Sequence, residues 1–310
     1  MLHGPGDLRL EEVPRPEPGR GELLVRVEAA LTAGSDLHAF RQGEHRILEQ
    51  LPSPFGHELC GFDVATGRPV VAASSAPCGH CAACQAGLET LCHRPAFLTG
   101  AYAEFVLVPA RIAEVNVLEA PPQLAGEVAA LADPLACCLH GVDVAEVRPG
   151  NVVAVLGVGP IGLMLCACVA DAGGYAVTVG GRPERHALAP LFGARPGDPH
   201  DADVVIEAAG TESAWRDALE LVRPGGTVVF LGGPERGAQL QVDAHRLHGE
   251  ELTLRGSVRH APRHLRAALA FLASGAYPWE RLVTHGVSLD GLPALFADPP
   301  AGLLKAVVRP

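Results

Sequence analysis

The sequence predicts an α/β chain of two domains, a doubly wound parallel sheet joined to a β-rich, barrel-like domain. Three observations predict it. The 310 residues suffice for two cores, each able to exclude water on its own. From about Asp133 onward, short apolar runs alternate with helical stretches of roughly ten residues, the rhythm of βαβ units. Before that point, and again near the C-terminus, β-like pieces are cut short by Gly- and Pro-rich joints.

In chain order, β-like runs fall at 23–27, 69–73 and 102–109. Residues 151–156 form a continuous apolar strand, followed by a glycine-rich turn at 157–162 and a helical run at 163–172. A strand at 175–179 leads to a helix over 183–192 and a strand at 203–208. A helix at 213–222, a Pro-Gly-Gly turn and a strand at 227–231 complete the alternation, and 306–308 is β-like again. There is no repeat beyond this rhythm and no low-complexity segment.

Composition narrows the class of partner. A net charge of −11 argues against nucleic acid or an anionic membrane as the main partner. No apolar run reaches the roughly 18–20 residues that span a bilayer. The opening residues from Leu2 to Pro14 are broken by Gly and Pro and lack a hydrophobic signal core, so the cytoplasm is the expected address. Nearly all basic residues are arginine, and Lys305 is the only lysine. The expected partner is a small-molecule substrate, and the expected assembly a homodimer or homotetramer.

The run from Val152 to Gly162 places Gly-x-Gly-x-x-Gly between a strand and a helix. Gly157 permits the tight turn, Gly159 lets the backbone approach a pyrophosphate, and Gly162 allows close helix–strand packing. Pro160 and Ile161 open the helix, whose N-terminal N–H groups face the anion. A lone motif of this kind is weak, but three further βα units follow it. A Rossmann dinucleotide site is therefore expected. An acid some 20 residues on would hold the ribose 2′-hydroxyl of NAD. Here Val179 is followed by Gly180, Gly181, Arg182 and Pro183. A small residue and a guanidinium suit a 2′-phosphate, so NADP(H) is expected over NAD(H).

Cys78, Cys81, Cys84 and Cys92 follow the spacing Cys-x2-Cys-x2-Cys-x7-Cys. Four thiolates can close a tetrahedron around Zn²⁺ and leave no open position, which makes the expected zinc structural and the segment 78–92 a metal-tied lobe. A nucleic-acid zinc ribbon would use two separated pairs and a basic surface. Cys60, Cys137, Cys138, Cys166 and Cys168 lie in apolar surroundings and read as core residues.

These cysteines, followed by the glycine loop, resemble the zinc-containing medium-chain dehydrogenases over essentially the whole chain. The opening to Pro14, Gly56-His57-Glu58, Asp133-Pro134-Leu135 and Lys305 resemble further family segments. The resemblance implies a GroES-like catalytic domain at 1–132 and 279–310, a Rossmann domain at 133–278, and a cofactor contact at Lys305. Gly181-Arg182-Pro183 after Gly180 looks like the corresponding segment of NADP-dependent secondary alcohol dehydrogenases.

In that family a catalytic zinc takes a cysteine from a Cys-Gly-Ser/Thr-Asp motif, the histidine of Gly-His-Glu, and a later acid or cysteine. The matching stretch here begins Ala33-Gly34-Ser35-Asp36, so the cysteine is alanine. The resemblance implies that Ser35 bonds the substrate oxygen, His38 ends the proton relay, Asp36 orients His57, Asp133 is the third ligand, and Glu58 can swing onto the metal. Two readings stand open. Either zinc stays on His57, Glu58 and Asp133, an acceptable three-ligand set, or the metal site has lapsed. Cys60, two residues beyond Glu58, would share its face of a strand and offers a substitute thiolate. The segment 61–70 looks shorter than the family's hairpin.

The expected activity is an NADP(H)-dependent interconversion of a secondary alcohol, polyol or sugar-like hydroxyl with its ketone. Its rivals are a zinc-independent reductase of polarised double bonds or imines, and a non-catalytic NADP(H)-binding protein.

Overall fold

The computed structural model describes residues 1–43, 47–48 and 50–310. They form two compact units, Met1–Ala136 with Ala261–Pro310, and Cys137–His260. The helix Pro262–Ala273 and the turn Trp279–Leu282 group with the first unit, where both pack on the helix Gly126–Ala129. The second unit therefore closes at His260, short of the expected 278.

The second unit carries six parallel strands in the order Ala194–Pro196, Tyr175–Val179, Val152–Leu156, Ala202–Glu207, Val222–Phe230, Thr253–Gly256. Counted along the chain this is 3-2-1-4-5-6, the Rossmann order. The order reverses between Val152–Leu156 and Ala202–Glu207, and ligands of such sheets bind beyond the strand ends at that point. Val153, Ala154 and Val155 are fully buried, as befits a strand covered on both faces. The helix Pro160–Asp171 starts on a proline whose fixed φ suits a first helical position. Its residues from Gly162 to Val169 are all buried. The helix Glu212–Leu221 begins where the Thr211 hydroxyl accepts from the Ala214 N–H at 3.2 Å.

Three features depart from the expected elements. Ala194–Pro196 and Thr253–Gly256 are short outer strands without a long apolar run to announce them. Pro183–Phe192 winds as a 3₁₀ helix, with Pro190 inside it.

In the first unit a sheet runs Val283–Ser288, Lys305–Arg309, Leu23–Leu31, Glu58–Asp63, Pro69–Ala72, Val117–Glu119, with Phe105–Val108 also paired to Leu23–Leu31. Every pairing is antiparallel except that between Val283–Ser288 and Lys305–Arg309. Gly61 is required where two strands crowd: a Cβ there would lie 2.2 Å from the Arg26 carbonyl. Phe296 packs against Phe40 and Phe55 at centroid distances of 5.7 and 5.8 Å, and Phe55 meets Tyr102 edge-on at 5.7 Å. These rings floor the region that carries the candidate site. Among the described residues one helical stretch, Gly126–Ala145, is long and apolar enough to cross a membrane, and 67% of its apolar 18-residue window is buried inside the protein.

Candidate functional site

Around Cys78 the chain folds to gather sulfur. Cys81 precedes the short helix Ala82–Gln85, which carries Cys84, and Cys92 ends the turn Glu89–Leu91. The four Sγ atoms lie within 4.8 Å of one another, with Cys81 3.5 Å from Cys84 and 3.9 Å from Cys92. A tetrahedral zinc about 2.3 Å from each sulfur needs edges of about 3.8 Å, so the cluster fits the ion. Backbone N–H groups point at the sulfurs, from Cys78 to Cys92 at 3.1 Å and from Cys81 to Cys78 at 3.4 Å. Amides of His93 and Cys84 lower the Cys81 thiol below its ordinary value, while burial and the hydrogen bond with Cys81 push Cys84 up. No other group of three or more His, Cys, Asp or Glu among the described residues gathers its ligand atoms this closely.

The second cluster is built on His57. Its Nδ1 lies 3.0 Å from Asp36 Oδ1, and both residues are buried. Asp36 comes from the first turn of the helix Gly34–Gln42, whose exposed residues include Ser35 and His38. The other Asp36 oxygen accepts from the Tyr102 hydroxyl at 2.5 Å and the Ala33 N–H at 3.3 Å. Burial pulls the His57 pKa down. The charge and hydrogen bond of Asp36, aided by Glu58 and Asp133, outweigh it and raise the group to about 9. Burial and Asp36 push Tyr102 well above the usual phenol range.

Glu58 faces Lys305 at 2.6 Å, with the side chains 4% and 3% exposed. Lys305 also donates to the Thr32 carbonyl at 3.0 Å. The ammonium expected at the cofactor is therefore engaged inside the first unit, where a buried carboxylate needs a cation beside it. Burial raises Glu58 above its ordinary value, with Lys305 opposing. Asp133 Oδ1 accepts from both the Ser74 N–H at 2.8 Å and the Ser74 hydroxyl at 3.2 Å. Cys60 is buried and pushed up to about 12, first by burial and then by the charge of Glu28. It does not join His57 in a metal-competent group. His57, Glu58 and Asp133 together do not fit a resident zinc in this arrangement, since Glu58 is engaged and Ala33 offers a methyl group.

In the second unit Gly157 takes φ +99°, and a Cβ there would meet Ala209 at 3.2 Å. Gly162 is more constrained, because its Cβ would fall 1.8 Å from the Gly157 carbonyl oxygen. Gly159 stands just before Pro160 and Ile161, and its virtual Cβ has only Arg185 Nη1, at 3.9 Å, within 4 Å. Gly180 is open and exposed at φ +65°, Gly181 follows at φ +81°, and exposed Arg182 precedes the 3₁₀ helix. The residues fit a dinucleotide: open space over Gly159 and Gly180, and free helical N–H groups at Pro160–Asp171. Glu207, at the end of its strand and wholly buried, accepts from the N–H groups of Ala209 and Gly210 at 2.7 Å each. It thereby fixes the loop that abuts Gly157.

Sequence reasoning missed Tyr102, Ser74, Thr32 and Glu207. Only Tyr102 left a signal: Gly56, in the Gly-His-Glu segment, takes φ +86°, and a Cβ there would lie 2.7 Å from the Tyr102 ring.

Comparison with known proteins agrees with this architecture. Residues 19–119 match the alcohol dehydrogenase GroES-like domain, and residues 160–274 match the zinc-binding dehydrogenase domain. The chain is 30% identical to L-threonine 3-dehydrogenase of Chelativorans sp., covering 97% of this chain and 94% of the relative. It is 28% identical to sorbitol dehydrogenase of Bacillus subtilis, over 94% and 90%. A zinc-binding-dehydrogenase type protein of Sinorhizobium meliloti 1021, bound to NADP, superposes with TM-score 0.90 at 32% identity, over 100% of this chain and 98% of the other. The alcohol dehydrogenase of Thermus sp. ATN1 does so with TM-score 0.86 at 30% identity, over 99% and 98%. The chain belongs to the zinc-containing medium-chain dehydrogenase/reductase family, as an NAD(P)-dependent enzyme of the alcohol and polyol dehydrogenase class with its structural zinc site at Cys78, Cys81, Cys84 and Cys92.

Proposed function

We propose that this enzyme is an NADP(H)-dependent oxidoreductase that interconverts a secondary alcohol, polyol or sugar-like hydroxyl and its ketone. The observation that carries the reading is the pairing of His57 with Asp36 on the helix that presents Ser35 and His38. Relatives named for sorbitol, L-galactonate and erythritol or L-threitol dehydrogenation support a polyhydroxylated substrate. The cofactor preference is supported by the acid-free strand end at Gly180–Arg182 and by the NADP bound to the Sinorhizobium protein.

When bound, the nicotinamide supplies hydride exchange with the substrate carbon. The chain's own residues manage the proton. Ser35 takes the hydrogen bond of the substrate oxygen, and His38, exposed on the same helix, passes the proton to solvent. His57 is held in one orientation by Asp36, and Tyr102 holds Asp36 in turn. Asp133 borders the same buried charge cluster, while Glu58 and Lys305 neutralise each other beneath it. Gly157, Gly159, Gly162, Gly180, Gly181 and Arg182 carry the dinucleotide.

Ala33 favours a second reading, a zinc-independent reductase of a polarised double bond or imine. Initial rates separate the two: NADP⁺ with a panel of polyols and secondary alcohols, against NADPH with ketones, enones and imines. Turnover of the first panel supports the proposal; turnover confined to enones or imines supports the second reading.

A further inference from the structure

We propose that Glu207 is a positioning residue for the nicotinamide half of the cofactor. Its carboxylate fastens the loops that follow Ala202–Glu207 and Val222–Phe230 to each other, beside the glycine turn at Gly157. This holds for NAD(P) as cofactor, whatever the substrate. In a doubly wound sheet each half takes one mononucleotide, and the pyrophosphate lies at the first turn between them. The end of the second strand, at 180–182, belongs to the adenosine half. The loops at 208–211 and 231–233 lie across the switch point from it, on the other half.

Those two loops offer a ligand little but backbone. They read Ala208-Ala209-Gly210-Thr211 and Leu231-Gly232-Gly233, with Ala209 and Gly233 exposed. Glu207 fixes that backbone from a wholly buried position. Its Oε1 accepts from the N–H groups of Ala209 and Gly210 at 2.7 Å each. Its main-chain oxygen accepts from those of Leu231 and Gly232 at 2.9 and 3.0 Å. Oε2 presses on Gly232, where a Cβ would lie 2.7 Å from that oxygen and 2.4 Å from the Gly210 nitrogen. Gly210 takes φ +73°, and a Cβ on it would fall 2.9 Å from the Gly233 carbonyl oxygen. The Trp215 indole N–H donates to the Gly232 carbonyl at 3.1 Å, and its ring stacks on Phe230 at 4.2 Å. Burial raises Glu207 above its ordinary value, and the N–H groups of Gly210 and Ala209 oppose that rise. An apolar side chain would fill the same space without the cost of burying a carboxylate. What the charge supplies is the pair of strong bonds to the loop.

The test is equilibrium binding to the full chain, native and Glu207→Gln, of two kinds of probe. One is the whole dinucleotide, as NADPH and NADH; the other is the adenosine half alone, as adenosine 2′,5′-bisphosphate and AMP. Glu207→Gln keeps the shape but makes both loop bonds neutral. It is expected to weaken the dinucleotide about tenfold, the effect of one charge-assisted bond. The adenosine fragments should bind as they do to the native chain, which also shows that the second unit is folded. Equal weakening of both probes would assign Glu207 to the stability of the whole unit and overturn the proposal, as would native affinity for both. If Glu207→Gln does not fold, Trp215→Phe decides on the same probes, since it removes the bond to Gly232 and keeps a ring against Phe230. Loss confined to the dinucleotide supports the proposal; loss of both or of neither overturns it.

Discussion

The Tyr102 hydroxyl donates to Oδ2 of Asp36 at 2.5 Å while Oδ1 of the same carboxylate faces His57 at 3.0 Å, so one buried anion is shared between a phenol and an imidazole. Tyr102→Phe removes the donor and keeps the ring against Phe55 and Phe296. A hydrogen bond to a charged group contributes about 1.5–3 kcal/mol. Loss of that order is expected in urea denaturation of the first unit, together with a fall in kcat/KM. An unchanged midpoint would show that the carboxylate is held by its other partners alone.

The same pair predicts a pH dependence. His57 stands at about 9 in the folded chain against 6.5 when unfolded. A raised pKa stabilises fully below about pH 6.5, and the contribution is lost as pH rises through 9. A decline of a few kcal/mol is expected across that window. Trp279 lies buried in the first unit, so its fluorescence in a Trp215→Phe background reports the transition. Asp36→Asn should flatten the slope.

Arg182 predicts the cofactor preference. With open glycine before it and no acid at the strand end, NADPH should bind at least tenfold more tightly than NADH, the low end of a charge-assisted pair. Arg182→Ala should bring the two affinities together in a nucleotide fluorescence titration. A preference that survives the substitution assigns the 2′-phosphate to other groups.

Cys84→Ser should empty the structural site. Binding to such sites contributes about 10–16 kcal/mol in small peptides, and without it the lobe 78–92 has no buried apolar side chain but Cys92 to anchor its turns. Zinc content should fall by one per chain while the second unit keeps its nucleotide affinity. Full zinc retention would reject the four-cysteine assignment.

Gly162→Ala tests the dinucleotide loop by volume alone. Its Cβ would sit 1.8 Å from the Gly157 oxygen, so either the loop or the helix must move. Nucleotide affinity should drop by an order of magnitude or more, with the circular dichroism of the sheet retained. Native affinity in Gly162→Ala would mean that the loop position is not what the cofactor requires.

Much of this was legible in residues because its physics is local. The buried strand Val152–Leu156 reads as a continuous apolar run since both its faces are covered, and Cys78 to Cys92 read as a metal lobe because the ligands are close in sequence. Thr253–Gly256 was not legible: an outer strand of Thr, Leu, Arg and Gly carries no apolar run. Pairs remote in sequence were also hidden. Glu58 and Lys305 are 247 positions apart and Asp36 and Tyr102 are 66 apart, and nothing local to either residue encodes its partner. Lys305 was accordingly expected at the cofactor, and its burial beside Glu58 follows from the need to neutralise a carboxylate that has no water.

The burial of Lys305 has a chemical consequence for the whole surface. It is the only lysine in the chain and is 3% exposed, so every positive side chain at the surface is a guanidinium or an imidazole. Amine-directed acylation, reductive methylation and lysine-linked conjugation find no side-chain acceptor on the folded protein. Labelling of Lys305 by a small acylating reagent thus becomes a clock for opening of the sheet around Lys305–Arg309, read at one atom by mass spectrometry.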